Sequence, residues 1–130
     1  MIGLALALFH FTACNTTPEI KKTDPLESGR GFVESSLKGD YAEAEQYILR
    51  DSTNLEYFNV MRTFNERQED KIKQGYKDAN IIIDSISKIS DSESVIHYSN
   101  TYKMKPSKLR MVKVKQEWLV DFKYTSQDDN

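Results

Sequence analysis

Helix-starting patterns fill the first half of this chain, and β-branched runs joined by short turns fill the second. That order excludes most architectures at once. Three capping residues are each followed, three positions on, by Glu: Asp24-Pro25-Leu26-Glu27, Asp40-Tyr41-Ala42-Glu43 and Thr53-Asn54-Leu55-Glu56. In such a box the first side chain accepts from an orphan backbone N–H and the Glu reaches back to the cap. Pro25 suits a first helical position, where its missing N–H has no intrahelical partner to lose. Gly39 and Gly75 are read as left-handed stops. The patterns predict helices near 25–38, 41–50 and 54–73. Leu26, Gly29, Val33 and Leu37 form one stripe on the first, with Phe32 beside it. Leu55, Phe58, Met61 and Phe64 form a face on the third, whose polar end from Glu66 to Lys73 is expected to project into solvent.

The second half carries strand chemistry. Ile81–Ile89, Val95–Tyr102, Leu109–Val114 and Trp118–Tyr124 are the candidate strands, with Trp118, Val120, Phe122 and Tyr124 on one face of the last. Strands this close must pair antiparallel, because parallel pairing needs long crossovers. Helices segregated before an antiparallel sheet make an α+β domain, with N-terminal helices packed on one face of about four strands.

The N-terminus gives an address. Ile2–Phe11 is uncharged and apolar, and the only cysteine, Cys14, follows Thr12-Ala13. The run falls short of the roughly 20 residues a membrane-crossing helix needs. It fits the apolar core of a secretory signal with small residues at a cleavage point. The plainer reading is an apolar strand or helix with one buried thiol. Phe11-Thr12-Ala13-Cys14 resembles the lipobox of bacterial lipoproteins, with Phe where Leu is usual and no Lys or Arg ahead of it. That resemblance implies a signal peptide over 1–13, cleavage before Cys14, a diacylglyceryl group on its sulfur and acylation of the new amine. Residues 14–24 are then anchor and polar tether, 25–124 the domain and 125–130 a polar tail. Acylation of Cys14 also leaves no thiol for a disulfide, a nucleophile or a metal site.

Two segments resemble the nuclear transport factor 2-like (cystatin-like) fold. Gly31–Ala44, with Gly39-Asp40-Tyr41, looks like its first helix and the turn that follows. Val112–Asp121, with Trp118-Leu119-Val120-Asp121, is similar to its terminal hairpin, although Lys115-Gln116 stands where Asp-Gly is usual. Small bacterial lipoproteins of unknown function carry this pairing. The resemblance implies a curved sheet wrapped around the helices, a cone with a cavity at its wide end, and frequent dimerisation through the sheet.

Enzymes on that fold use an Asp base with Tyr or protonated Asp donors, or a His–Asp pair. The parts available here are Tyr57, His97, Tyr98, Tyr102 and Asp121. Neighbours on a strand point to opposite faces, so at most one of His97 and Tyr98 looks inward. Asp121 has the opposite parity to Trp118, Val120 and Phe122 and is expected at the solvent side. A complete inward acid–base pair is therefore hard to build, and no catalytic residue is assigned. His97 alone is too little for a metal site once His10 leaves with the leader.

Phe32, Phe58, Tyr98, Tyr102, Trp118 and Phe122 are candidate pocket residues, and the plainer reading makes them core. Lys103, Lys105, Lys108, Arg110, Lys113 and Lys115 occur with no acidic residue among them, a candidate contact for anionic headgroups, acidic glycans or a partner. The plainer reading is a solvated face that blocks edge-to-edge pairing. The net charge of −2 gives no electrostatic argument for nucleic acid. The expectation is a lipid-anchored envelope protein, facing the periplasm or the cell surface. It binds a partner protein or small ligand without catalysis or cofactor. An isomerase- or dehydratase-like enzyme in the cone, or a binder acting through 103–115, are the alternatives.

Overall fold

The computed structural model describes residues 22–125. The expected leader, Cys14, most of the tether and the tail after Thr125 lie outside the described residues. Helix α1 (Pro25–Leu37) starts where Asp24 accepts from the Glu27 N–H at 3.0 Å, with Pro25 in first position. It ends at Gly39, whose φ of +75° is open to glycine. Helix α2 (Tyr41–Glu45) is capped the same way, Asp40 accepting from the Glu43 N–H at 3.1 Å. Helix α3 (Ser52–Glu66) begins two residues before the expected box. Asp51, not Thr53, is its cap, accepting from the Asn54 N–H at 2.8 Å.

The expected long third helix is two helices. The chain leaves α3 at Arg67 and starts α4 (Asp70–Lys77) after a short connection. The physical reason is the polar stretch itself: Glu66–Lys71 offers no apolar side chain to hold a straight helix on a core. Ile72 and Tyr76, four apart and both half-buried, bring α4 back to the domain instead. Gly75 is therefore inside a helix and not a stop. A β-carbon there would collide with the Tyr102 ring, so the missing side chain permits that contact.

Strands β1 (Ile81–Ser90), β2 (Glu93–Asn100), β3 (Ser107–Val114) and β4 (Glu117–Val120) pair in chain order as one antiparallel sheet. The α+β class and the four strands agree with the sequence reading. Strand β1 is irregular at Ile83/Ser85 and Lys88/Ser90. The β3–β4 turn is tight despite Lys115-Gln116, and both residues take positive φ, +48° and +69°. The last strand is shorter than expected. It stops at Val120, and Phe122–Thr125 forms a helical turn, α5. Tyr124 consequently leaves the Trp118/Val120 face; its exposed ring lies 5.1 Å from the Arg110 guanidinium carbon.

The core lies between the helices and one sheet face. Phe32 and Val33 of α1 and Phe58 of α3 meet Ile96, Leu109, Met111 and Val120 of the sheet, all buried. Gly29 lets α1 approach Ile96 and Leu109 closely. Burying one such apolar side chain contributes about 1.5–3 kcal/mol. The free edge of β4 is covered by backbone: Lys22 O accepts from Trp118 N at 2.7 Å, and Tyr47 O accepts from Val120 N at 2.8 Å. Phe64, expected on the buried face of α3, is 65% exposed, because the core ends one turn earlier, at Met61.

Candidate functional site

The helices cover only part of the sheet's inner face. A cleft of about 450 Å³ remains, lined by residues of α1, α3, α4 and α5 and of strands β2 and β3. That size is within the usual range for small-molecule sites, about 300–1,000 Å³. Its floor is apolar: Phe32, Val33 and Leu37 from α1, Met61 from α3 and Phe122 from α5. Phe32 and Phe122 stack at a tilt with ring centroids 5.9 Å apart, and both lean on Phe58 at 6.4 Å. The floor is thus backed by close-packed aromatic rings.

Polar groups enter from the walls. Tyr98 on β2 faces Ser107 on β3 in register. Burial pushes the Tyr98 phenol up from its ordinary pKa, and a hydrogen bond with the Ser107 side chain pulls part of the way back. Burial likewise raises the Tyr41 phenol, opposed by a hydrogen bond with the Asn65 side chain. Both hydroxyls therefore stay protonated at neutral pH, as donors. Asn65 Nδ2 also donates to Met61 Sδ at 2.8 Å. The rim holds Lys38, Lys73 and Lys77, with Glu66 as the carboxylate of the lining.

The sequence candidates are distributed unevenly around this cleft. Phe32, Tyr98 and Phe122 line it. Phe58 is fully buried behind the floor, and Trp118 is buried near Lys22 at the β4 edge, so both serve as core. Tyr102 is outside, 38% exposed, with its ring edge-on to Tyr76 at 5.0 Å. His97 pairs with Lys108 on the strand face opposite Tyr98 and is absent from the cleft wall. Tyr57 is exposed on α3.

Asp121 departs from expectation. Its parity places it beside Arg110, whose carbonyl accepts from Asp121 N at 2.9 Å, away from the core face. Yet it is only 2% exposed. Arg110 donates to one carboxylate oxygen, and Lys123 Nζ to the other at 3.0 Å. Asn54 Nδ2 approaches that second oxygen at 3.4 Å. The network extends to Glu93, which accepts from Arg110 Nε at 2.9 Å, and to Asp51, which accepts from Lys123 Nζ at 3.1 Å. The Asn54 N–H, assisted by Lys123, holds the Asp51 carboxyl below its ordinary value, and Arg110 does so for Glu93. Desolvation draws the Lys123 ammonium down, but its bonds to Asp121 and Asp51 outweigh that and leave it raised. This cluster ties the start of α3 to the end of β4 and does not open into the cleft.

The six basic residues do not form one face. Lys103 and Lys105 lie in the loop between β2 and β3, and Lys115 in the β3–β4 turn. On β3, Lys108 and Arg110 share a parity that Lys113 does not, so they point to opposite faces of the strand. Arg110 belongs to the Asp121 cluster.

No protein-family model, curated protein or solved structure matches this chain. Among the described residues no group of three or more His, Cys, Asp or Glu could hold a metal ion. No helix among them is long and apolar enough to cross a membrane.

Proposed function

We propose that this chain is an exported lipoprotein held to the membrane through Cys14. On this reading its domain is a nuclear transport factor 2-like cone that binds a small ligand in the cleft and releases it unchanged. The observation that carries the reading is the cleft's composition. An apolar floor offers burial area, three phenols (Tyr41, Tyr76, Tyr98) and two asparagines (Asn65, Asn100) offer orientation, and the carboxylate in the lining, Glu66, is paired through one oxygen with Arg62 Nε at 3.0 Å. A general base needs a free acceptor within reach of a bound proton. His97 and Asp121, the strongest acid–base candidates in the sequence, sit elsewhere. The position of the helices on one sheet face, leaving a gap at one end, supports the cone. The lipobox-like Phe11–Cys14 supports the anchor, since more than one acyl chain gives stable membrane attachment.

The test is native mass spectrometry of protein extracted from its own membranes in mild detergent. The expected species starts at Cys14, carries acyl groups and retains a non-covalent small molecule. A water-soluble protein with Met1 attached and a free thiol overturns the anchor. A binder also keeps its ligand affinity in the His97→Ala and Asp121→Ala variants under conditions where they stay folded. Loss of turnover of a bound substrate in either would place the protein among the enzymes instead.

A further inference from the structure

The cleft's rim is more selective than its floor. Its three lysines come from two separate helices: Lys38 closes α1, while Lys73 and Lys77 lie one turn apart on α4. The helices meet there, since a β-carbon on Gly39 would lie 3.9 Å from Lys77 Cε. The lining offers one carboxylate against these three cations, Glu66, half-exposed and paired through one oxygen with Arg62 at 3.0 Å. Lys73 has two local partners, the Asp70 carboxylate at 3.4 Å and the Glu66 carbonyl at 3.5 Å, but that carboxylate is fully exposed and screened by water, and a carbonyl brings no net charge to offset the ammonium. Carbonyls at the C-terminal ends of α1 and α4 already have backbone partners. Ser35, Ser36, Gln74 and Tyr76 carbonyls are closed by backbone N–H groups of Asp40, Gly39, Asp78 and Ala79. The net result is an apolar slot with a positive mouth.

We propose that the cleft selects an amphiphilic anion: an apolar body against Phe32, Leu37, Met61 and Phe122, and an acidic headgroup at Lys38, Lys73 and Lys77. This rests on the reading of the cleft as a ligand site and adds the chemical class of the ligand. Charge complementarity carries it. An ammonium amphiphile would meet like charge at the mouth, and a neutral one would gain nothing from the lysines.

The experiment uses the full chain in nanodiscs of uncharged phosphatidylcholine, with ¹³C-labelled methionine methyls. Met61 reports the cleft; Met111, buried in the core, and Met104, on the β2–β3 loop, are internal controls. Octanoate and octan-1-ol are titrated separately. The alcohol is the more apolar probe, so the hydrophobic effect alone favours it. The proposal expects octanoate to move the Met61 methyl with an affinity about tenfold higher than the alcohol, about 1.4 kcal/mol. In the Lys38→Ala/Lys73→Ala/Lys77→Ala variant octanoate should fall to the level of the alcohol, whose own affinity stays unchanged. Equal affinity for the two probes in the unaltered protein overturns the anionic selectivity and leaves the cleft as a ligand site. A Met61 methyl that neither probe moves overturns both.

Discussion

Asn54 and Asp121, 67 positions apart in sequence, are hydrogen-bonded side chain to side chain at 3.4 Å, and both are buried. Asn54 uses its other atoms too. Its Oδ1 accepts from the Lys123 N–H at 2.7 Å, and its Nδ2 also reaches Asp51 at 3.2 Å. One asparagine in the first turn of α3 thereby fixes the segment that leaves β4 and carries Phe122 to the cleft floor.

Removing the Asp121 carboxylate leaves Arg110 and Lys123 facing one another across a site built for an anion. Breaking a buried pair by deleting one partner costs about 3–5 kcal/mol. Arg110 keeps Glu93 and is partly exposed, so Asp121→Ala is expected to lose about 2–3 kcal/mol in urea unfolding, by the usual cost of an orphaned charged partner. Ligand affinity of the folded variant should be unchanged within error. A large loss of affinity with unaltered stability would place Asp121 in the site.

Acid should weaken the same cluster. Asp51 and Glu93 are held below their ordinary values in the fold, so the unfolded chain takes up protons on them at higher pH than the native one does. Their contribution is complete above the unfolded carboxylate range, near pH 4. It is lost as the pH falls through the native values. The urea midpoint should be flat from neutral pH down to about 5 and drop below it. Asp51→Asn, which keeps a capping oxygen, should shallow that drop. A midpoint that rises on acidification below about pH 4 contradicts the assignment.

The β3–β4 turn holds two non-glycine residues at positive φ, a conformation that costs of order 1 kcal/mol or more at each. Gln116→Gly removes one of those costs and adds back some unfolded-state entropy. The expected net gain is about 0.5–1 kcal/mol by thermal or urea unfolding. An unchanged or lower midpoint would mean that the turn is not left-handed in solution.

Gly29 is buried in α1, and an added β-carbon would press on Ile96, Leu109 and Met111 at once. Helix propensity favours alanine there by about 1 kcal/mol. Overpacking a closed core costs about 1–3 kcal/mol. Gly29→Val, which lacks most of the propensity gain and adds more volume, should lose about 2 kcal/mol. A neutral effect would show that α1 can lift off the sheet without penalty.

Much of this architecture is legible from local chemistry. Asp24-Pro25 and Asp40 mark their helix starts, and Gly39 marks a stop, because caps and left-handed turns depend on residues within one turn of each other. The break between α3 and α4 is not legible from periodicity, since Glu66–Lys73 has no apolar rhythm to show where the axis turns. Parity placed Asp121 opposite the core but could not show that Arg110, Lys123 and Asn54 would cover it. Among the aromatic candidates, sequence could not separate Phe58 and Trp118, which are core, from Phe32, Tyr98 and Phe122, which meet the cleft. The lysine rim exists only because two helices converge at Gly39 and Lys77, so no motif records it.

The most direct test of the cleft as the working site is an unbiased map of ligand contact. Isotopically labelled protein is titrated with a small-molecule extract of the cells that make it, and amide and methyl shifts are followed. The account predicts changes concentrated at Leu37–Gly39, Met61, Asn65, Tyr76, Tyr98 and Phe122. Changes confined to Lys103–Lys115, or to the exposed part of strand β1 from Asp84 to Ser90, would contradict it.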